Sequence, residues 1–240
     1  MRDHYFNNLD SSHIGFSGSL VASLPQECLR TVLFRKHTPE TVYPQLFAKP
    51  LNGLIEYLHQ VFAEEVDGGR SYPQEGPIDL AAFENYFFAA DVFVAVIGAL
   101  EHPDEFEEPK ESSLGVTETK AGRSWEDCII GYYYVKPNYP GRSSHICNAG
   151  FVVPPSQRGQ GAGSILAKSY VYYAPKLGYQ ASVFNLVYVN NTASIKLWER
   201  LGFTKAGRIP RAGRLRKKDG TGEEYVDAWV FYKSFIDAEA

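Results

Sequence analysis

The run Arg158-Gly159-Gln160-Gly161-Ala162-Gly163-Ser164 has the residue types to hold a phosphate-bearing ligand. It follows an apolar stretch over 149–153 and the pair Pro154-Pro155, and a helical pattern opens behind it. The order reads strand, turn, glycine-rich loop, helix. Glycines let backbone N–H groups come close to a ligand. A helix N-terminus adds unpaired donors and a partial positive charge. Together they suit a pyrophosphate, and Arg158 can add a charge-assisted contact. A plain loop-to-helix junction would use the same glycines. Spacing excludes two other phosphate motifs. A P-loop needs Lys then Ser or Thr after its glycines, and here Ser164-Ile165 follows Gly163. The dinucleotide fingerprint G-x-G-x-x-G is also absent.

Two asparagines form the second candidate set. Strand alternation over 180–189 puts Asn185 on one face with Val183, Val187 and Val189. A lone amide in an apolar row costs free energy unless it is hydrogen-bonded. Either neighbouring backbone satisfies it or it faces a ligand. Asn148, on the stretch leading to the glycine loop, poses the same question. An Asn side chain can donate to a carboxylate and accept from a ring N–H, but it is no proton acceptor at neutral pH. Other groups nearby are weaker candidates. His145 reads equally well as a hydrogen-bonded structural residue or as a base. Cys147 alternates with Asn148, so its thiol points to the other face. Core packing explains Tyr170, Tyr172 and Tyr173.

An alternation of strands and helices must position these groups. A strand is expected over 29–34 and a helix start at Thr38-Pro39-Glu40. Leu54, Leu58, Val61 and Phe62 recur at helical spacing, which predicts a helix over 52–66 stopped by Gly68-Gly69. Ser71-Tyr72-Pro73 begins a loop, and Asp79 caps a second helix through Phe88. The Val-rich run 91–100 reads as a buried strand, and the acidic stretch 101–126 as the most loop-like part of the chain. Strands follow over 128–135 and 145–153, parted by a turn at Asn138-Tyr139-Pro140-Gly141. Leu166, Tyr170, Tyr173 and Leu177 share one face of the helix that opens at Ser164. Gly178 takes its C′ position, and Pro175 distorts its last turn. A strand over 180–189 and a helix from the cap Asn191 to Leu201, closed by Gly202, come next. Strands over 203–209 and 225–235 complete the order, with an Arg/Lys-rich loop between them. This is an α/β chain forming a mixed sheet with helices on both faces.

A length of 240 residues suits one main domain, taken as 29–240, behind an N-terminal extension over 1–28 that is partly ordered at best. The net charge of −4 argues against whole-molecule attraction to nucleic acid. Cys28, Cys128 and Cys147 are too few and too scattered for a disulfide framework or a zinc site, so no metal is expected. A reducing, cytoplasmic setting fits. No apolar run is long enough to span a bilayer. Residues 1–23 lack a signal-peptide pattern, and Asp3 and Asp10 speak against a clear mitochondrial presequence, with a mitochondrial site left open as the alternative.

The R-x-x-G-x-G run of Arg158, Gly161 and Gly163 resembles the acyl-CoA loop of the GNAT N-acetyltransferases. Asn191, Ser194, Trp198, Glu199, Gly202 and Phe203 resemble that family's second signature helix, although a capped amphipathic helix would carry Asn191 and Gly202 anyway. The resemblance implies the GNAT acyl-CoA N-acyltransferase fold, with a splayed central sheet. Segments 134–139, 144–151 and 183–191 narrow the likeness. They resemble the fungal L-azetidine-2-carboxylate acetyltransferases, which detoxify proline analogues and act on related proline-pathway metabolites by acetylating the ring nitrogen. This likeness covers 132–203, with echoes at 71–74 and 226–228. The loop bearing Arg208, Arg211, Arg214, Arg216, Lys217 and Lys218 is longer and more basic than that group implies.

The resemblance implies acetyl-CoA as co-substrate, a small amine as acceptor, and direct transfer in a ternary complex with no thiol nucleophile. It assigns acetyl-CoA to Val152, Val153, Arg158, Gly159, Gln160, Gly161, Ala162, Gly163, Ser164, Asn191, Ser194 and Trp198. It assigns the acceptor to Asn148, Phe151 and Asn185, with Asn148 and Asn185 carrying the catalytic positioning. Gly150 inside its strand marks a bulge, which would turn the backbone N–H groups of Phe151 and Val152 toward the thioester carbonyl. Packing of Gly150 against an aromatic is the other explanation. Trp198 stands where many family members carry a thiolate-protonating Tyr, so that role is vacant. Two further readings stay open: an acetyltransferase for protein lysines or another amine, and a CoA- or nucleic-acid-binding protein without turnover. No membrane partner is expected, and a homodimer is left open.

Overall fold

The computed structural model describes residues 15–18, 27–34, 53–99, 110–112 and 120–236. The expected helix start at Thr38 and most of the acidic stretch lie outside them. The strands are β1 (Gly15–Gly18), β2 (Glu27–Phe34), β3 (Asp91–Ala99), β4 (Lys110–Ser112), β5 (Ile129–Pro137), β6 (Ile146–Val152), β7 (Ala181–Tyr188), β8 (Thr204–Arg216) and β9 (Glu223–Ser234). The helices are α1 (Leu54–Gly68), α2 (Leu80–Phe87), α3 (Trp125–Cys128), α4 (Ala162–Lys176) and α5 (Thr192–Arg200). Two units share these elements. One takes the chain up to Leu58, Phe87–Tyr134 and Phe151–Leu166; the other takes His59–Tyr86, Val135–Gly150 and the chain from Ala167 on.

In the first unit β1, β2, β3 and β4 pair antiparallel. β2 runs beside β3 from Glu27↔Ala99 to Phe34↔Val92, and β1 lies between β2 and β4. The three-residue β4 falls in the stretch read as loop, and β1 in the stretch read as an extension. Neither has an apolar run to announce it, and pairing with a neighbour makes each a strand. β5 is buried on both faces over its first seven residues. Its tyrosines form the core. Tyr133 stacks between Phe93 at 4.8 Å and Phe151 at 5.0 Å, while Phe87 meets Tyr132 and Tyr134 at 5.0 and 5.1 Å. The buried Tyr132 hydroxyl donates to the Leu58 carbonyl at 2.5 Å, so the phenol carries no unpaired donor into the core.

The second unit holds a parallel β6–β7 pair and antiparallel β7–β9 and β9–β8 pairs, which makes the sheet mixed. The caps read from sequence are in place. Asp79 accepts from the Ala82 N–H at 2.7 Å, and Asn191 accepts from the Ser194 N–H at 3.1 Å. Past α4, Gly178 N–H reaches the Pro175 carbonyl and Tyr179 N–H the Ala174 carbonyl. Past α5, Gly202 N–H reaches Glu199 and Phe203 N–H reaches Trp198. Both ends show the paired bonds of a glycine C′ stop.

One expectation is overturned. The Arg/Lys-rich segment after Ile209 is no loop: β8 continues to Arg216. Pro210 and Gly213 do not end the strand. Instead the register shifts between Ile209↔Ala228 and Gly213↔Val226, and the extra residues bulge out. Arg211 takes φ +52° there. Asp227 anchors the bulge, accepting from the Arg211 N–H at 2.7 Å and from Arg208 Nε at 2.9 Å. These bonds hold the Asp227 carboxyl below the usual carboxylate range. The true turn comes later, where Asp219 accepts from Thr221.

Candidate active site

β6 and β7 form a fork. They pair only at Ile146↔Ala181 and Cys147↔Ser182, and β7 is then held along its other edge by β9. A buried polar chain pins the closed end. Cys147 Sγ lies 3.0 Å from the Tyr170 hydroxyl, which donates to Ser182 Oγ at 2.6 Å. Helix α4 is thereby tied to both strands. Burial pushes the Cys147 thiol up to about 12, so it stays protonated and serves as a structural donor rather than a nucleophile. His145, at the start of the fork, is exposed and donates through Nδ1 to the Arg142 carbonyl at 3.2 Å. That is the structural reading of the two.

Beyond the closed end β7 bulges. From Phe184↔Phe231 to Val187↔Trp229 it advances one residue more than β9 does. The simple alternation expected for Asn185 therefore fails. The extra residue puts Val183 and Val187 on opposite faces, so the expected row is broken; both valines stay buried, Asn185 is half-buried and Leu186 turns outward at 36% exposure. The freed amide meets two others. Asn185 Nδ2 donates to Asn138 Oδ1 at 2.6 Å, Asn148 Nδ2 donates to the same oxygen at 2.9 Å, and Asn138 Nδ2 donates back to Asn185 Oδ1 at 3.2 Å. Asn148 and Asn185 thus meet on one oxygen. Asn138 is the residue that sequence reasoning missed. It read as a turn former, and only the return of β6 beside it, with Asn138 N–H on the Ile146 carbonyl at 2.8 Å, turns it inward. Side chain satisfies side chain here, where backbone would have been the ordinary solution.

The glycine run folds as its spacing suggests. Gly159 and Gly161 take φ +76° and +89°, a region that L side chains rarely occupy. Ser164 and Ile165 N–H groups both turn to the Gly161 carbonyl, so α4 opens at Ala162, two residues before the expected Ser164. The N–H groups of Ala162 and Gly163 precede the first helical bond. A Cβ on Gly159 or Gly163 would meet nothing within 4 Å, so the approach to this backbone is open. Arg158 is exposed and braced by Nε on the Val153 carbonyl at 3.1 Å; Gln160 closes the turn onto the Ser156 carbonyl at 3.0 Å. These residues fit the pyrophosphate of a CoA thioester: donors, open backbone and one cation in one turn. β6 carries Asn148 and runs on through Phe151 and Val152 to this turn. Phe151 is half-buried on Tyr133, and Val152 is buried.

Helix α5 holds the last candidates. Its cap residue Asn191 is exposed and Ser194 half-buried. Trp198 is buried among Phe184 at 4.4 Å, Phe203 at 5.0 Å and Tyr170 at 6.3 Å. The packing supports the floor of the fork. The Tyr188 hydroxyl, at the end of β7, is buried with no hydrogen-bond partner among the described residues, and burial pushes its pKa up.

Among the described residues no helix is long and apolar enough to cross a membrane. The Acetyltransferase (GNAT) family description matches residues 78–203. Over 186 residues, 78% of this chain and 82% of the relative, the sequence is 42% identical to the N-acetyltransferase aca1 of Schizosaccharomyces pombe. Among solved structures, a GCN5-related N-acetyltransferase from Kribbella flavida has a TM-score of 0.59 at 21% identity, covering 85% of this chain and 97% of that one. The acetyltransferase yncA from Salmonella typhimurium, solved with its cofactor acetyl-CoA, has a TM-score of 0.56 at 16% identity, covering 88% and 96%. These two likenesses support the fold. The chain therefore belongs to the GNAT acetyltransferase family and is an N-acetyltransferase that uses acetyl-CoA.

Proposed function

We propose that this enzyme acetylates the ring nitrogen of a small cyclic imino acid, with L-azetidine-2-carboxylate as the test acceptor. The observation that carries the reading is the cluster of Asn138, Asn148 and Asn185 at the bulged fork. After their mutual bonds each amide keeps an N–H, and Asn148 keeps its carbonyl oxygen. Such a set suits a ligand with a carboxylate and an N–H close together. The sequence around it is the part that resembles the proline-analogue enzymes.

The thioester supplies the activated acetyl group. In this reading Arg158 and the N–H groups of the turn hold its pyrophosphate, and the backbone of Phe151 and Val152 faces the acyl carbonyl. Asn148 and Asn185 orient the acceptor. No amide takes up the amine proton, so the acceptor reacts as the free amine after losing a proton to water. Placement is the main contribution such a site makes.

Arg208 pairs with Asp227 at 2.7 Å, Arg214 with Glu75 at 2.9 Å and Glu223 at 3.1 Å, and Arg216 with Asp67 at 3.7 Å. Arg208, Arg214 and Arg216 on β8 are thus each paired with a carboxylate. Release of free CoA thiol, followed across azetidine-2-carboxylate, spermine and a lysine-rich histone-tail peptide, tests the proposal. Thiol release with azetidine-2-carboxylate foremost is expected. Release with the peptide or spermine alone would replace the acceptor class.

A further inference from the structure

We propose that Asn138 is a positioning residue that decides which end of the Asn148 amide faces the acceptor amine. The inference rests on the reading of the asparagine cluster given above.

Asn138 Oδ1 accepts from both Asn148 Nδ2 and Asn185 Nδ2, at 2.9 and 2.6 Å. Its own Nδ2 returns a bond to Asn185 Oδ1 at 3.2 Å, so Asn138 and Asn185 form a closed amide pair. Asn148 joins the cluster through its nitrogen, which leaves its Oδ1 as the end available to a ligand. That end is the one a nucleophile needs. A neutral secondary amine attacks through its lone pair and has one N–H to offer a neighbour. Asn148 Oδ1 can take that N–H and leave the lone pair free. A flipped Asn148 would present its NH2 group, which would donate to the lone pair and block attack. The two ends of an amide are nearly the same shape, so packing does not choose between them. Asn138 chooses, because a flipped Asn148 would set oxygen against oxygen. In the transfer the amine nitrogen bonds to the acetyl carbon and the carbon–sulfur bond breaks. Sulfur leaves with the electron pair, and the amine proton passes to solvent.

The test uses the full-length enzyme with azetidine-2-carboxylate, or with whichever amine of the panel releases thiol fastest. Asn138→Ala should lower kcat about 100-fold, the scale of a misplaced reactant, while calorimetric acetyl-CoA affinity stays at the wild-type value. Asn138→Asp should restore part of the rate, since a carboxylate still accepts from both Nδ2 groups although it loses the bond to Asn185 Oδ1. In an Asn148→Ala background, Asn138→Ala should add no further loss. A wild-type rate in Asn138→Ala overturns the proposal. So does an Asn138→Asp variant as slow as Asn138→Ala, and so do losses that multiply in the double variant. Circular dichroism separates a folding defect, and Asn138→Asp then carries the test. If Asn148→Ala and Asn185→Ala both keep the wild-type rate, the acceptor reading itself fails. If they lose it and Asn138→Ala does not, only the role of Asn138 falls.

Discussion

The glycine turn and the asparagine cluster are built in opposite ways. The turn draws its donors from the backbone of one short run, Arg158 to Ser164, and its shape follows from glycines at φ +76° and +89°. The cluster draws on side chains that lie 10 and 47 residues apart in sequence. It exists only because a bulge in β7 and the return of β6 bring them together. A backbone-built site is fixed by local conformation and resists most side-chain changes outside its glycines. A side-chain site is set by tertiary register and fails with single atoms. The first suits a ligand part common to a family. The second suits the part that differs.

The largest effect should come from breaking the backbone site at its conformational requirement. Gly161→Val puts a β-branched residue at φ +89°, and acetyl-CoA affinity should fall on the order of 100-fold, read by calorimetry on protein that keeps its circular dichroism. Arg158→Ala removes the one charged side chain of the turn and should cost about 1.5–3 kcal/mol of the same affinity. Unchanged binding in both variants would remove the turn from the co-substrate site.

The side-chain region should be sensitive in stability as well. A Cβ on Gly213 would lie 2.5 Å from Tyr188 Cε1, inside a buried cluster with Leu215, Val226 and Ala228. Gly213→Ala should therefore destabilise by about 1–3 kcal/mol in urea unfolding. A stability equal to wild type would show that the ring moves aside freely. A pH-dependent effect concerns the pinned end of the fork. The Cys147 thiol is raised from 9.0 to about 12. Between those values the unfolded chain releases the proton and the folded chain keeps it. This thiol's contribution is complete below pH 9.0 and is lost as pH rises to 12, at about 1.4 kcal/mol per pH unit. Cys147→Ser should flatten that decline by the same slope in unfolding measurements over the interval. An unaltered slope would mean that the thiol is not held in the buried chain.

What could be read from sequence divides along the same line. The turn, the caps Asp79 and Asn191, and the stops Gly178 and Gly202 depend on residues within a few positions of one another, and they stand where the sequence put them. The end of β8 after Ile209 read as a loop, and Pro210 and Gly213 within it are local breakers. The features that override them, Asp227 on the bulge and the ion pairs of Arg208, Arg214 and Arg216, come from other segments. Asn185 was recognised as an amide out of place, but its true setting required the extra residue of the β7 bulge. No alternation pattern contains that residue. Asn138 carried the signal of a turn and nothing more, since its partners lie on β6 and β7.

In the proposed arrangement the turn binds the donor and the asparagine cluster binds the acceptor. Asn185→Ala tests it most directly, with calorimetric acetyl-CoA affinity and kcat/KM for azetidine-2-carboxylate measured on the same preparation. A fall in kcat/KM of about 100-fold or more is expected, with acetyl-CoA affinity within roughly twofold of wild type. A joint loss of affinity and turnover would place Asn185 with the co-substrate, and an unchanged kcat/KM would leave it a structural residue; either result contradicts the claim.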